Sequence, residues 1–448
     1  MTKALHMGIA GAGLLGRLLA WQLSRAGHRV SVFDPSSSAQ PVARSQAPDP
    51  YVPTAAAFTA AGMLSPLSEL DNAEPAVAAL GWRSITLWRQ IAAQLGRPEL
   101  VRAEGSLMLA HRADLGAAQR VLDRLKAATA TPEWQAASPR EGVQPLDLAA
   151  LRALEPSVQG PAHAWLLPGE GQIDTVAAMA ALHDGAKDVD WHWGTRVLAV
   201  DGGEGGGTLR LADGRVLAFD VVIDVRGVGA KGPHPHPSPL PQAEEGAKED
   251  IRGSAVSPSP LWGEGRGEGP VTVEVEARSA PTPTLPQRGR ESIASPCDAS
   301  AVRGVRGEVI WLDCPGHGIT RPLRLLHPRH RVYIVPRSAR DVLVGASEIE
   351  SEDRSPVSLR SAVELLAAAH SVVPALAEAR ILKLDVNLRP ALPDNNPLVA
   401  WQGRKLTING LFRHGWLLAP ALVEQALRLT GWCAAEEVAP EIEAASAG

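Results

Sequence analysis

The stretch from Leu5 to Asp34, LHMGIAGAGLLGRLLAWQLSRAGHRVSVFD, constrains the fold more than any other part of this 448-residue chain. It opens on a short apolar run, passes through glycines, and continues with Leu14, Leu15, Leu18, Leu19 and Leu23 on one helical face. Gly27 closes that helix and Val30, Val32 and Phe33 form a second strand, so the segment reads as strand, helix, strand. Gly11, Gly13 and Gly16 stand in GxGxxG spacing between the first strand and the helix. The first glycine permits a tight turn, the second lets a pyrophosphate approach the backbone, and the third lets helix pack on strand. Unpaired N–H groups at the helix start, around Leu14 and Leu15, can then hold phosphate with the help of the helix dipole. Asp34, followed by Pro35, ends the second strand 18 residues beyond Gly16, where an acid suits a pair of ribose hydroxyls and disfavours a 2′-phosphate. The motif by itself serves NAD and FAD alike.

Elsewhere the chain alternates between helical and strand patterns. Ala-rich helical stretches such as WRSITLWRQIAAQLG and DLGAAQRVLDRLKAATA fill the middle. RVYIVPRSARDVLVGAS reads as two strands with a turn at residues 338–340, and SLRSAVELLAAAHSVVPALAEA as a helix interrupted near Pro374. KLTINGLFRHGWLLAPALVEQALRLTGW reads as strand, glycine-bearing loop and helix. One segment differs: residues 231–301 are dominated by Pro, Gly, Ser and charge, without sustained periodicity, which predicts disorder. Its flanks, RVLAFDVVIDVRGVGA and GVRGEVIWLDC, both read as strands of one folded unit, so the segment is expected to be an insertion in a surface loop.

Composition removes several classes of function. Lys plus Arg number 44 against 49 Asp plus Glu, a net charge of −5 that gives no support for nucleic-acid binding. No apolar run approaches the roughly 20 residues that cross a bilayer, and the N-terminus lacks the pattern of a cleavable leader. Cys297, Cys314 and Cys433 are too few and too scattered for a disulfide framework or a metal-ligand set. A cytoplasmic protein without a metal, binding neither membrane nor nucleic acid, is the expectation.

AAGMLSP (Ala60–Pro66), VYIVPR (Val332–Arg337), LRPALPDNNP (Leu388–Pro397) and FRHGWLLAPA (Phe412–Ala421) resemble, in the same order, the recurring motifs of the glycine oxidases, flavoenzymes of the D-amino-acid oxidase group. LEP at Leu154–Pro156, VRGEV at Val305–Val309 and VLVGASE at Val342–Glu348 agree with them. The resemblance implies a doubly wound, Rossmann-like α/β domain for non-covalent FAD and a second α+β substrate domain on an antiparallel sheet. The cofactor domain would comprise residues 1–85, 160–230 and 385–435, the substrate domain 86–159 and 302–384, and residues 436–448 a flexible tail. Arg389 matches the arginine that binds the substrate carboxylate, a task suited to a planar two-pronged cation, and Tyr333 the tyrosine that assists it. Arg413 and Met63 match further substrate-side positions.

Ala61, Gly62 and Met63 match a second cofactor-contacting turn, Val197 the valine whose backbone meets the adenine, and Phe412, Arg413, His414, Gly415, Trp416 and Leu417 the segment along the flavin. The sequence departs from the family where VNLRP stands for WAGLRP, where Leu411 replaces a histidine, and in a long Pro- and Ser-rich stretch from Pro35 to Ala57. The implied reaction is oxidation of a small amino acid, glycine first, with hydride passing to the flavin and no dedicated acid or base. Glyoxylate, ammonia and, with oxygen as acceptor, hydrogen peroxide would follow, in service of thiazole assembly for thiamine. A D-amino-acid or sarcosine-type oxidoreductase and an FAD-binding protein impaired by the insertion are the alternatives, and homo-oligomerisation is open.

Overall fold

Strands His6–Ala10 and Val221–Asp224 are buried almost throughout, as strands covered on both faces must be, and they pair in parallel at the centre of a six-stranded sheet. The computed structural model describes residues 4–41, 54–71, 74–129, 142–231, 301–326 and 331–432. The expected 436–448 tail, residues 232–300 of the expected insertion, and residues 42–53 of the long stretch before AAGM lie outside the described residues. The sheet order is 398–402, 405–409, 221–224, 6–10, 29–34, 189–193; every neighbouring pair is parallel except the terminal hairpin 398–402/405–409. Helices Leu14–Arg25, Thr175–Gly185 and Gly415–Thr430 contribute to the core cluster around this sheet. Between the third and fourth strands in chain order, strands 197–203, 206–211 and 216–219 form a separate antiparallel sheet.

The second large sheet has eight strands in the order 380–391, 303–313, 341–345, 331–336, 323–326, 106–110, 163–167, 144–146. It is mixed rather than wholly antiparallel, because 106–110 and 323–326 run parallel across its middle. Strand His163–Leu167, from the segment expected to bind cofactor, pairs here, and Arg380–Ala391 runs through the expected boundary at residue 384. Helix Leu359–Val372 packs its buried residues Leu365, Ala369 and Val372 into the core on one face of this sheet, and the turn after it begins at Pro374. Ser358 caps that helix by accepting from the Ser361 N–H.

The two flanks of the insertion meet at one side chain. Glu352 Oε1 accepts from Lys231 Nζ at 2.8 Å and from the Gly304 N–H at 2.9 Å. Closing the loop between those flanks therefore needs little chain, and loop length adds little to closure entropy. Replacing residues 234–296 by a short Gly/Ser linker should leave melting temperature and flavin content unchanged or raised. Loss of flavin on that replacement would show that the segment supports the fold.

Helix Gly415–Thr430 contains Pro420, which cannot donate to the Trp416 carbonyl four residues before it. That carbonyl instead accepts from the indole N–H of Trp88 at 2.7 Å, on the neighbouring helix Pro75–Gln94. Trp88→Phe removes this donor from a buried acceptor and should cost about 1–3 kcal/mol. An unchanged melting temperature would mean that the carbonyl is satisfied elsewhere.

Candidate functional site

The glycine loop is built as the motif requires. Gly11 has φ +105°, and a Cβ at Gly16 would lie 1.9 Å from the Gly11 carbonyl oxygen, so loop and helix touch backbone to backbone. A Cβ at Gly13 would meet nothing nearer than the Ala55 methyl at 3.8 Å, leaving that side open. Asp34 has two backbone partners: one oxygen accepts from the Ala12 N–H at 2.7 Å, the other from Ser36 at 2.8 Å. The acid thus also holds the loop to the end of the second strand, and Pro35 is exposed beside it. The first helical bond runs from Arg17 N–H to the Gly13 carbonyl, so the N–H groups of Leu14, Leu15 and Gly16 have no partner within the helix and Gly13 supplies no side-chain cap. The buried Arg17 guanidinium donates to the Ala12, Met179 and Ala39 carbonyls, and burial lowers its pKa to about 10.

A second open helix end lies in the FRHGWLL segment. Leu418 N–H donates to the His414 carbonyl, so the N–H groups of Gly415, Trp416 and Leu417 have no partner within the helix, and among the described residues there is no side-chain cap and nothing within 4 Å of a Cβ at Gly415. The side chains of Trp416 and Leu417 turn inward: the Trp416 indole donates to the Ala57 carbonyl at 3.1 Å, and Leu417 packs on Gly81. Their backbones alone can serve a cofactor. Two uncapped helix starts, each with open space before a glycine, fit an extended ligand with a pyrophosphate near one end and an electron-accepting ring at the other. In the Ala61–Met63 turn, Gly62 adopts φ +68° and its carbonyl accepts from Ile173 N–H. The Val197 carbonyl accepts from Arg226 Nη1 at 3.1 Å, an arginine paired with Asp224.

Arg389 lies on strand Arg380–Ala391, and its neighbour Pro390 accepts from the Phe412 N–H at 2.8 Å. That bond brings the LRP and FRHG motifs side by side. Phe412 takes a positive φ of 46° at the bend. The Arg389 guanidinium donates to the carbonyls of Arg306 (3.2 Å) and Ser347 (3.0 Å) and lies flat over Gly307, where a Cβ would come within 2.5 Å of it. Among the described residues it has no carboxylate partner, and burial lowers its pKa. Tyr333 packs its ring on Gly345, and burial raises its hydroxyl pKa against the opposing pull of Arg389 and Arg413. Met63, Trp311, Tyr333 and Ala346 pack together against Ala61, Val309, Val335 and Leu343, and this group forms an apolar wall.

Arg413 is held differently. Its guanidinium reaches Glu348 Oε2 at 3.2 Å and Glu69 Oε2 at 3.6 Å. Glu69 also faces His414 at 3.4 Å and Arg324 at 3.2 Å. Burial works against the Glu69 carboxylate, but Arg413, Arg324 and His414 prevail and hold its pKa at about 2. Burial lowers the pKa of His414 despite that carboxylate. The short helix Pro66–Glu69 is fixed from below by Glu170, which accepts from the Ser68 N–H and hydroxyl and from the Ser106 hydroxyl. Burial raises Glu170 to about 7.

Several of these residues escaped the sequence reading. Glu69 carries no motif of its own, Glu348 closes VLVGASE with no role assigned to it, and Trp311 is one apolar residue in a strand. Arg337 of VYIVPR donates to Ile173, Ala60 and Thr175 and so ties the second sheet to the Ala61–Met63 turn. Asn387, in the departure VNLRP, donates to Thr54 and Thr59 and fastens the segment before AAGM. A polar residue in an otherwise apolar strand run was the available signal.

The fold and this pair of helix ends define an FAD-dependent oxidoreductase. The chain matches the DAO family, described as FAD dependent oxidoreductase, over residues 7–276 and 289–426, and it belongs to that family. It is 31% identical over 421 residues to a putative thiamine biosynthesis oxidoreductase ThiO of Rhizobium etli, covering 94% of each chain. It is 33% identical over 123 residues to a glycine oxidase of Bacillus licheniformis, 27% of this chain and 32% of that one. Among solved structures, a glycine oxidase from Geobacillus kaustophilus superposes with a TM-score of 0.67 at 20% identity, over 97% of this chain and 96% of that one. An iminodiacetate oxidase from Chelativorans sp. gives 0.63 at 20% identity, over 97% of each. Among the described residues no helix is long and apolar enough to cross a membrane.

Proposed function

We propose that the protein oxidises a small amino acid, with glycine as first choice, to its imine, which hydrolyses to glyoxylate and ammonia. The observation that carries this reading is the Arg389 guanidinium, a half-buried two-pronged cation with carbonyl acceptors but, among the described residues, no acid, set beside Tyr333 and next to the FRHG segment. The uncapped helix starts at Leu14 and Gly415 would hold non-covalent FAD, with Asp34 near the ribose and Met63 against the ring. Bound FAD would accept the hydride of the substrate α-carbon and pass the electron pair to dioxygen, giving hydrogen peroxide.

The chain's own part is to orient the carboxylate on Arg389, to wall the reacting carbon with Met63, Trp311 and Tyr333, and to limit water there. The relationship to a putative thiamine biosynthesis oxidoreductase supports a role in supplying thiazole assembly for thiamine. Sarcosine or a D-amino acid would use the same carboxylate contact, so substrate preference is read by comparison. Purified protein should be yellow, should release its flavin on acid precipitation, and should be bleached anaerobically by glycine faster than by sarcosine or D-alanine. A yellow protein bleached by none of the three would overturn the reading.

A further inference from the structure

The two acids beside Arg413 differ in how they are held. Glu69 is mostly buried, at 13% exposure, and shared among Arg413, Arg324 and His414. Among the described residues Glu348 has one ion pair, to Arg413 at 3.2 Å, and its side chain is 48% exposed. Arg413 would keep Glu69 if Glu348 turned away, and an ion pair exposed to that degree contributes little. The Glu348 backbone, by contrast, is fixed on both sides. Ser347 N–H donates to the Glu308 carbonyl at 3.3 Å and its hydroxyl to the Glu308 carboxylate at 2.8 Å. Ile349 exchanges two backbone hydrogen bonds with Arg306, at 2.9 and 3.0 Å. Only the side chain of Glu348 is left to adjust.

The carbonyl of Ser347, directly before Glu348, is one of the two acceptors that hold Arg389. Glu348 lies within electrostatic reach of Arg389 as well as Arg413. A cation with no acidic partner among the described residues and an exposed carboxylate are thus presented by neighbouring segments. An amino acid carries its two opposite charges one carbon apart and requires such a pair. Resting on the amino-acid reading above, we infer that Glu348 receives the ammonium group of the substrate whose carboxylate Arg389 takes, and that it selects dipolar amino acids over simple carboxylic acids. Arg413 then acts as the resting partner of Glu348 and Glu69 as the fixed support of Arg413.

The test compares the wild-type holoenzyme with Glu348→Gln and Glu348→Ala, using glycine as a ligand with both charges and acetate as one with a carboxylate alone. Anaerobic flavin reduction gives the half-saturating glycine concentration, and the perturbed flavin spectrum gives acetate affinity. In both variants the glycine value should rise roughly ten- to a hundredfold, the scale of one charge-assisted hydrogen bond, while acetate binds as before or more tightly. Acetate should gain because a negative charge near Arg389 has been removed. Parallel weakening of glycine and acetate would overturn the inference and leave Glu348 as a support for Arg413. Unchanged glycine dependence would place the ammonium elsewhere. If wild-type flavin is perturbed by acetate but reduced by no amino acid, the amino-acid reading fails first, and the inference with it.

Discussion

Arg389→Ala should lower kcat/KM for glycine by at least ten- to a hundredfold while flavin content stays near wild type. A charge-assisted hydrogen bond is worth roughly 1.5–3 kcal/mol, and the alanine removes a two-pronged contact to the substrate carboxylate. Alanine also removes the Arg389 donors from the Arg306 and Ser347 carbonyls, although the Arg306 carbonyl keeps the Ile349 N–H. Arg389→Lys keeps the charge but not the planar fork that lies over Gly307, and should fall between alanine and wild type. Stopped-flow reduction of the flavin against glycine concentration measures the effect directly. Unchanged concentration dependence in the alanine variant would remove Arg389 from the substrate site. Arg413 would be a poor substitute, because it already faces two carboxylates, Glu69 and Glu348.

Glu69→Gln should be the most destabilising single polar change near the site. It leaves Arg413, Arg324 and His414 without their shared acid, and removing one partner of a buried ionic group costs about 3–5 kcal/mol. The sign of the pH dependence follows from the carboxylate. Its folded pKa, about 2, lies below the unfolded value near 4.3, so its contribution is complete above the unfolded value and is lost as pH falls through the folded one. Melting temperatures of wild type and Glu69→Gln should therefore differ widely at pH 7 and converge on acidification from about pH 5 towards 2. A constant difference across that range would mean that the charge of Glu69 does not stabilise the fold.

The local features of the cofactor domain were legible because they act over short spans. GxGxxG needs only its own strand and helix, and the structure places Gly16 against Gly11 as that spacing requires. The uncapped start at Gly415 was equally local. Residue roles within FRHGWLL were less so: the motif marks the whole run, whereas packing sends the Trp416 indole to Ala57 and Leu417 onto Gly81. The sheet of the substrate side was expected to be antiparallel. Its parallel pair, 106–110 with 323–326, joins strands far apart in the chain, and no local pattern marks such a pairing.

By itself the sequence determined a nucleotide-binding strand–helix–strand unit, an insertion whose flanks belong to one folded unit, and an arginine and a tyrosine of the types that bind a carboxylate. The first two follow from periodicity and glycine sterics, which are properties of short segments, and the arginine and tyrosine from the motifs that resemble those of the glycine oxidases. Only the tertiary structure decided which arginine lacks an acidic partner. Arg389 and Arg413 look alike in sequence, but Glu69 and Glu348 come to Arg413 from distant segments, while Arg389 receives two carbonyls and a glycine face. The physical reason is that a charge is balanced through space, and the neighbours that balance it are chosen by the packing of strands and helices rather than by order along the chain.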